Sequence, residues 1–116
     1  MTSGQLYING EWVAGAATFP VADKFSGEVL AQVAAATRDQ VSQATAAAAA
    51  AFERQRLSPQ TRYQILQRAA ALLEAQRKLF TSTIVAESGF TISDADGEVN
   101  RGVQTFLACA EEAKRI

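Results

Sequence analysis

The chain has 116 residues, which is enough for one domain or for a piece of a larger one. Its 11 basic and 12 acidic residues leave a net charge of −1, which excludes a large basic surface for nucleic acid. Hydrophobic residues make up 48%, but 24 residues are alanine, so the chain alone can build only a thin core.

The first predicted elements are two β-hairpins. Residues 5–13 form the first one, because Asn9-Gly10 favours a type I′ turn in which both central residues have positive φ. Extended segments at residues 19–22 and 28–34 form the second hairpin. They are joined by the turn Asp23-Lys24-Phe25-Ser26-Gly27, which has Ser and Gly at favourable positions. Residues 28–34 alternate with the period of a half-buried strand.

A first helix is predicted from Arg38 to about Arg54, with Thr37 or Asp39 as its N-cap. The alanine run at residues 46–51 is a strong helix former. A low-complexity linker is the alternative interpretation of this run, but the flanking apolar residues keep helical phase. The predicted apolar stripe consists of Val41, Ala44, Ala48, Ala51 and Phe52.

Residues 58–89 predict one long helix, around which the rest of the chain is organised. Ser58 is a good N-cap, Pro59 suits the first helical position, and Gly89 is the expected stop. Apolar residues recur at spacings of three and four, which places them on one stripe that needs a partner. The predicted stripe consists of Ile65, Leu66, Ala69, Leu72, Leu73, Phe80 and Ile84.

A third helix is predicted for residues 94–115. Ser93 is the expected N-cap, because an acid follows three residues later in the manner of a capping box. Lys114 and Arg115 lie at the other end, where cations suit the helix dipole. The predicted buried face consists of Ala95, Val99, Phe106, Ala110 and Ala113.

The residues that could carry chemistry assemble no active site by themselves. The chain has no histidine, and neither GxGxxG nor GxxxxGK[ST] occurs in it. Cys109 has Glu111 and Glu112 as sequence neighbours and no base to activate it, so a structural role is predicted. The acids Asp94 and Asp96, with Glu98, are interpreted as caps of the third helix rather than metal ligands.

Glu87 is unusual because it closes the long helix, where the dipole disfavours a carboxylate. The two interpretations are a solvated side chain and a carboxylate that a cation compensates. The single cysteine cannot form an internal disulfide, and MTSGQLYING lacks the pattern of a signal peptide. Together these favour a cytoplasmic protein.

Several segments follow one another in a specific order and spacing: residues 7–13, 19–21, 26–31, 47–52, Arg62, Ile65-Leu66, residues 69–74, Glu87-Ser88-Gly89 and Glu98-Val99. This series resembles the N-terminal part of an NAD(P)-dependent aldehyde dehydrogenase. The resemblance covers essentially the whole chain, and it departs from the family's pattern where Phe90-Thr91 follows Gly89 in place of Lys-Pro. The turn at residues 23–27 and the run from residues 98–101 to residues 110–116 are similar to members acting on small aldehydes, such as lactaldehyde or semialdehyde types.

The resemblance implies an α/β enzyme that oxidises an aldehyde to a carboxylic acid with NAD or NADP. Residues 1–116 would be the N-terminal part of its NAD(P)-binding domain, with no complete second domain and no cofactor held by this chain alone. The family's nucleophilic cysteine, general-base glutamate, oxyanion asparagine and cofactor loop lie further along, so no catalytic residue is expected here. The implied partners are the remainder of the polypeptide and further copies in a homo-oligomer, with no nucleic acid and no membrane.

The resemblance also implies one site within this chain. Some family members bind a structural monovalent cation, and the matching positions are Val21 and Ala22, through their backbone carbonyls, and Glu87, through its carboxylate.

A rival interpretation belongs to another functional class. A naturally short protein could use the same hairpins and helices as a non-catalytic interaction module. It would bind its partner through the alanine-rich and leucine-rich stripes.

Overall fold

The structure, a computed structural model, describes residues 2–116, with side chains from Gly4 onward. Contacts divide the chain into two units, one ending at Arg56 and the other spanning Leu57–Ile116. The strands are β1 (Thr2–Gly4), β2 (Leu6–Ile8), β3 (Glu11–Val13), β4 (Ala17–Ala22) and β5 (Val29–Ala35). The helices are α1 (Arg38–Arg54), α2 (Pro59–Ala75), α3 (Arg77–Ser88) and α4 (Ile92–Ala113).

The first predicted hairpin is confirmed in the first unit. Strands β2 and β3 pair in antiparallel register, and the turn residues Asn9 and Gly10 have φ angles of 53° and 86°. Positive φ at both positions is what a type I′ turn requires. On the hairpin, the Tyr7 and Trp12 rings lie 4.8 Å apart between centroids, and both side chains are largely exposed.

The second hairpin is also confirmed, and a strand that was not predicted extends its sheet. Strand β4 pairs antiparallel with β5, and β1 adds a parallel pairing on the other side of β5. In the connecting turn, the Asp23 carboxylate accepts hydrogen bonds from the Phe25 and Ser26 amides at 2.9 and 2.8 Å. These bonds favour the charged form and hold the pKa of Asp23 below its usual value.

Gly15 lies between β3 and β4, where the chain approaches the end of β5. A Cβ at this position would sit 2.4 Å from the Ala35 carbonyl oxygen and 2.9 Å from the Ala35 nitrogen. Because these are backbone atoms of a paired strand, they cannot rotate away. The close approach therefore requires glycine here.

Helix α1 is confirmed with the predicted start. The Thr37 hydroxyl accepts a hydrogen bond from the Gln40 amide, and the Gln40 side chain accepts one from the Thr37 amide. The Gln40 side chain also donates to the Ala14 carbonyl at 2.9 Å, which ties the first turn to the segment after β3. No residue of α1 is buried, and Val41 and Phe52 are more than half exposed.

The single long helix predicted for residues 58–89 is wrong in one respect, because the structure has two helices there. Its ends are confirmed, with Ser58 capping α2 and Gly89 closing α3 in the left-handed region. Between them, Gln76 has φ −104° and ψ 17°, outside helical values. Residues 2–116 therefore contain four helices rather than the three predicted. No helix breaker stands at this point, and the adjacent Arg77 side chain is instead engaged by groups on α2 and α4.

The core of the second unit lies where α2 and α3 pack against α4. The predicted α4 face is confirmed at four of its five positions, but Phe106 is partly exposed and Val103 is buried instead. On α2 the best-buried residue is Ala70, whereas Ile65 and Leu72 of the predicted stripe are half exposed. Small residues therefore dominate this contact. The buried residues are Ala70, Ala95, Val99, Val103, Ala110 and Ala113.

Helix α4 begins two residues before its predicted start. The Thr91 hydroxyl accepts from the Asp94 amide, so Thr91 rather than Ser93 is the N-cap. The sequence offers two overlapping cap patterns here, each with an acid three residues after the hydroxyl, and the earlier one gives the longer helix. Among the helices that the structure describes, none combines the length and apolar character needed to cross a membrane.

Candidate functional site

The predicted cation ligands fall in two separate units. Val21 and Ala22 end β4, where the pairing with β5 is irregular. The Ala22 carbonyl accepts a hydrogen bond from the Lys24 ammonium at 3.1 Å, so a positive charge already lies on one expected ligand. Glu87 is exposed in the last turn of α3. Val21 and Ala22 belong to the first unit and Glu87 to the second, so a shared cation site formed by these residues stays a prediction.

The chemistry of these donors nevertheless suits the expected ion. Backbone carbonyl and carboxylate oxygens are the ligands that hard cations prefer. The Ala22 carbonyl oxygen already accepts a hydrogen bond from a cation, the Lys24 ammonium, as a cation ligand would. In residues 2–116, no group of three or more His, Cys, Asp or Glu side chains is placed to hold a metal ion.

Cys109 lies on an exposed part of α4 and lines a shallow groove. The thiol is therefore at the surface of the described residues, and the structural role of Cys109 stays a prediction. The acid in the groove, Glu98, pairs with Arg101, so it is engaged by a cation. The groove residues are Leu66, Glu98, Arg101, Gly102, Thr105, Phe106 and Cys109.

Arg77 makes a polar cluster that the sequence analysis missed. Its Nε and Nη2 donate to the two Glu74 carboxylate oxygens at 2.9 and 2.7 Å, and its Nη1 donates to Asp96 Oδ1 at 2.9 Å. The hydrogen bonds from Arg77 hold the pKa of Glu74 below its usual value, and the carboxylates raise the pKa of Arg77. Asp96, a predicted cap residue of the third helix, instead accepts a hydrogen bond from Arg77. We call Glu74, Arg77 and Asp96 the Arg77 cluster.

Lys114 joins the end of α4 to the start of α2. Its ammonium lies 3.7 Å from the centroid of the Tyr63 ring and donates to Glu111 at 3.1 Å. The hydrogen bond to Glu111 raises the pKa of Lys114. Attraction between a cation and an aromatic face stabilises such contacts. This cluster, like that of Arg77, holds helices together and places no nucleophile beside a base.

In the part of the chain that the structure describes, α1, α2 and α4 do not begin in the way that is typical of a nicotinamide cofactor site. Phosphate groups of such cofactors bind to free amides at a helix N-terminus after a glycine-rich turn. Here the side chains of Thr37, Ser58 and Thr91 accept hydrogen bonds from amides in the first turns of α1, α2 and α4. None of the three helices follows a glycine-rich turn.

Residues 12–116 match the model of the aldehyde dehydrogenase family. The chain belongs to this family. The match confirms the resemblance, which rested on ordered segments along nearly the whole chain.

Aldehyde dehydrogenases similar to this chain are much longer than it. A 3-sulfolactaldehyde dehydrogenase from Priestia aryabhattai is 39% identical over 111 residues, which are 96% of this chain and 23% of that protein. An N-succinylglutamate 5-semialdehyde dehydrogenase from Escherichia coli K12 is 43% identical over 96 residues, which are 81% of this chain and 20% of that protein. The chain thus spans about a quarter of the length of its aldehyde dehydrogenase relatives or less.

A solved aldehyde dehydrogenase structure agrees with the fold. The NAD-dependent aldehyde dehydrogenase from Sinorhizobium meliloti superposes with a TM-score of 0.92 and 26% identity, over 99% of this chain and 24% of that one. The fold of this chain is therefore similar to that of the matching part of this dehydrogenase.

Proposed function

We propose that the chain is the N-terminal part of an NAD(P)-dependent enzyme that oxidises an aldehyde to a carboxylic acid. The observation that carries the proposal is the family match over residues 12–116, with relatives about four times as long. The complete enzyme would have the α/β fold, and residues 1–116 would begin its NAD(P)-binding domain. Its substrate would be a small aldehyde of the lactaldehyde or semialdehyde kind, as in the names of the similar dehydrogenases.

In this proposal the chain supplies scaffold rather than chemistry. A dehydrogenase of this kind needs a nucleophile that a base activates, and the one acid among the described residues that line the groove with Cys109, Glu98, is paired with Arg101. The nucleophile, the base and the cofactor loop would come from the remainder of the polypeptide. The enzyme would be a cytoplasmic homo-oligomer.

Aldehyde-dependent formation of NADH or NADPH tests this division of labour. We expect the complete protein that carries this segment to reduce NAD or NADP with a semialdehyde or lactaldehyde, and the purified 116-residue chain to give no rate. In the complete protein, Cys109→Ser should retain activity. A rate from the isolated chain would contradict the inactive scaffold, and loss of activity in Cys109→Ser would contradict the place given to Cys109.

The mass of the native protein separates this proposal from a short interaction module. An antibody against residues 38–88 should detect a band several times heavier than the 12.4 kDa chain in its source cells. A band at the mass of the chain itself would favour the module. A search for its binding partner would then replace the aldehyde assays.

We also propose that Val21, Ala22 and Glu87 bind a monovalent cation in the complete enzyme. Replacing K⁺ or Na⁺ by a bulky organic cation should lower the melting temperature of the wild-type enzyme but not that of Glu87→Ala. The matched control is Glu53→Ala, since Glu53 is also the second-last residue of its helix. This control should keep the cation dependence. Equal melting temperatures in all cations, for wild type and for Glu87→Ala, would rule out the site.

A further inference from the structure

The joint between α2 and α3 lacks the usual local stabilisation of a helix start. Gln76 makes no side-chain cap hydrogen bond, and the first turn of α3 contains no acidic residue. Two backbone hydrogen bonds cross the joint, from the Gln76 amide to Leu72 and from the Phe80 amide to Gln76, both at 3.1 Å. Backbone hydrogen bonds thus continue through the joint, although the dihedral angles of Gln76 are not helical. Side chains from outside the joint must therefore stabilise it.

Arg77 supplies contacts to both neighbouring helices at this joint. Its guanidinium holds the Glu74 carboxylate of α2 in a bidentate pair and the Asp96 carboxylate of α4 in a third bond. A planar guanidinium fits such paired geometry, which a lysine cannot reproduce. One side chain at the first position of α3 therefore fixes that helix to α2 and α4 together.

Burial and connectivity distinguish this cluster from the other ion pairs of the described residues. The Arg77 side chain is 27% exposed, whereas Arg101 is 70% exposed and pairs with Glu98 on its own helix. The pairs Lys114–Glu111 and Arg115–Glu112 also link neighbours along one stretch of chain. The Glu74 and Asp96 carboxylates are themselves half exposed, so the cluster differs mainly in its partly buried guanidinium and its two partners on different helices. A network of charges stabilises more than an isolated exposed pair.

We infer that the Arg77 cluster is an electrostatic lock on a hinge at Gln76. With the lock closed, the direction of α3 is fixed relative to both α2 and α4. With it open, the first turn of α3 unfolds locally, while the apolar contact between α2 and α4 persists. Local opening of this kind occurs where a segment has few buried contacts of its own.

Amide hydrogen exchange of the full 116-residue chain, read at single residues, tests the lock. In Arg77→Gln, the Gln76 and Phe80 amides should exchange about tenfold faster, while Ala70 and Val99 keep their wild-type rates. Arg77→Lys should recover only part of the protection. High salt should accelerate the same two amides in the wild type but not in Arg77→Gln. The matched control Arg101→Gln should leave the joint unchanged.

Three outcomes would overturn the inference. Equal exchange at Gln76 and Phe80 in wild type and Arg77→Gln, including no protection in either, would mean that no lock exists. Faster exchange at Ala70 and Val99 by the same factor would make the cluster a general stabiliser of the second unit. The same acceleration in Arg101→Gln would assign the effect to net charge instead.

Discussion

Replacing Gly15 by alanine is expected to destabilise the first unit by about 3 kcal/mol, near the upper end for overpacking. The added methyl group would overlap the Ala35 carbonyl oxygen at 2.4 Å and the Ala35 nitrogen at 2.9 Å. Ala35 is paired with Ala17 in the sheet, so relieving the clash means separating the ends of β4 and β5. Urea unfolding, analysed for both midpoint and slope, measures the loss.

Gly97→Ala is the matched control for this prediction. Gly97 lies within α4, and a Cβ there would meet no atom within 4 Å. Alanine is the better helix former, so this change should stabilise the second unit by about 0.5–1 kcal/mol. If Gly15→Ala unfolds at the wild-type midpoint, the close approach of residues 15 and 35 is wrong.

The second large effect is expected at Ala110 in α4. Its relative exposure is 0%, within a core made mostly of alanine and valine. Ala110→Leu adds three carbon atoms where no space remains, and it should cost about 2 kcal/mol through displaced neighbours. The shift of the urea midpoint, followed by the loss of helical circular dichroism, measures this cost.

Ala108→Leu tests whether burial rather than residue type causes the loss. Ala108 lies two residues away on the same helix, and it is exposed. The same substitution there should change the free energy of unfolding by less than about 0.5 kcal/mol. Equal losses at positions 108 and 110 would contradict the packing of α4.

Features set by local chemistry could be predicted from the sequence. The Asn9-Gly10 turn, the Ser58 cap with Pro59, and the Gly89 stop each depend on the backbone preferences of one or two residues. Such preferences act within a turn of chain and need no tertiary partner. At Thr91 and Ser93 two cap patterns overlap, and local preferences alone do not decide between them; the prediction of Ser93 is wrong, and Thr91 is the N-cap.

Features set by distant contacts could not be predicted in the same way. Nothing in the residues around Gln76 opposes a helix, so the break depends on how α3 packs on α4 and on Arg77. The predicted buried stripe of α2 likewise includes Ile65 and Leu72, which the structure leaves half exposed. Small residues decide this interface, since Ala70 is nearly inaccessible while the two larger side chains are half exposed.

The candidate sites also contain parts that local sequence predicts and parts that depend on distant contacts. The Glu74–Arg77 half of the Arg77 cluster has a spacing of three, which is typical of helical ion pairs and could have been found. Its Asp96 half lies 19 residues further along and becomes visible only with the fold. The cation ligands Val21, Ala22 and Glu87 came from the family resemblance, because backbone carbonyls leave no mark in a sequence.

Trp12, which pairs with Tyr7 on the first hairpin, also gives the first unit a fluorescence signal of its own. Trp12 is the single tryptophan, and the remaining tyrosine, Tyr63, belongs to the second unit. Excitation at the red edge of the absorption band therefore produces fluorescence from the first unit alone. The unfolding of the first unit can therefore be followed by itself in the intact chain, without any added label.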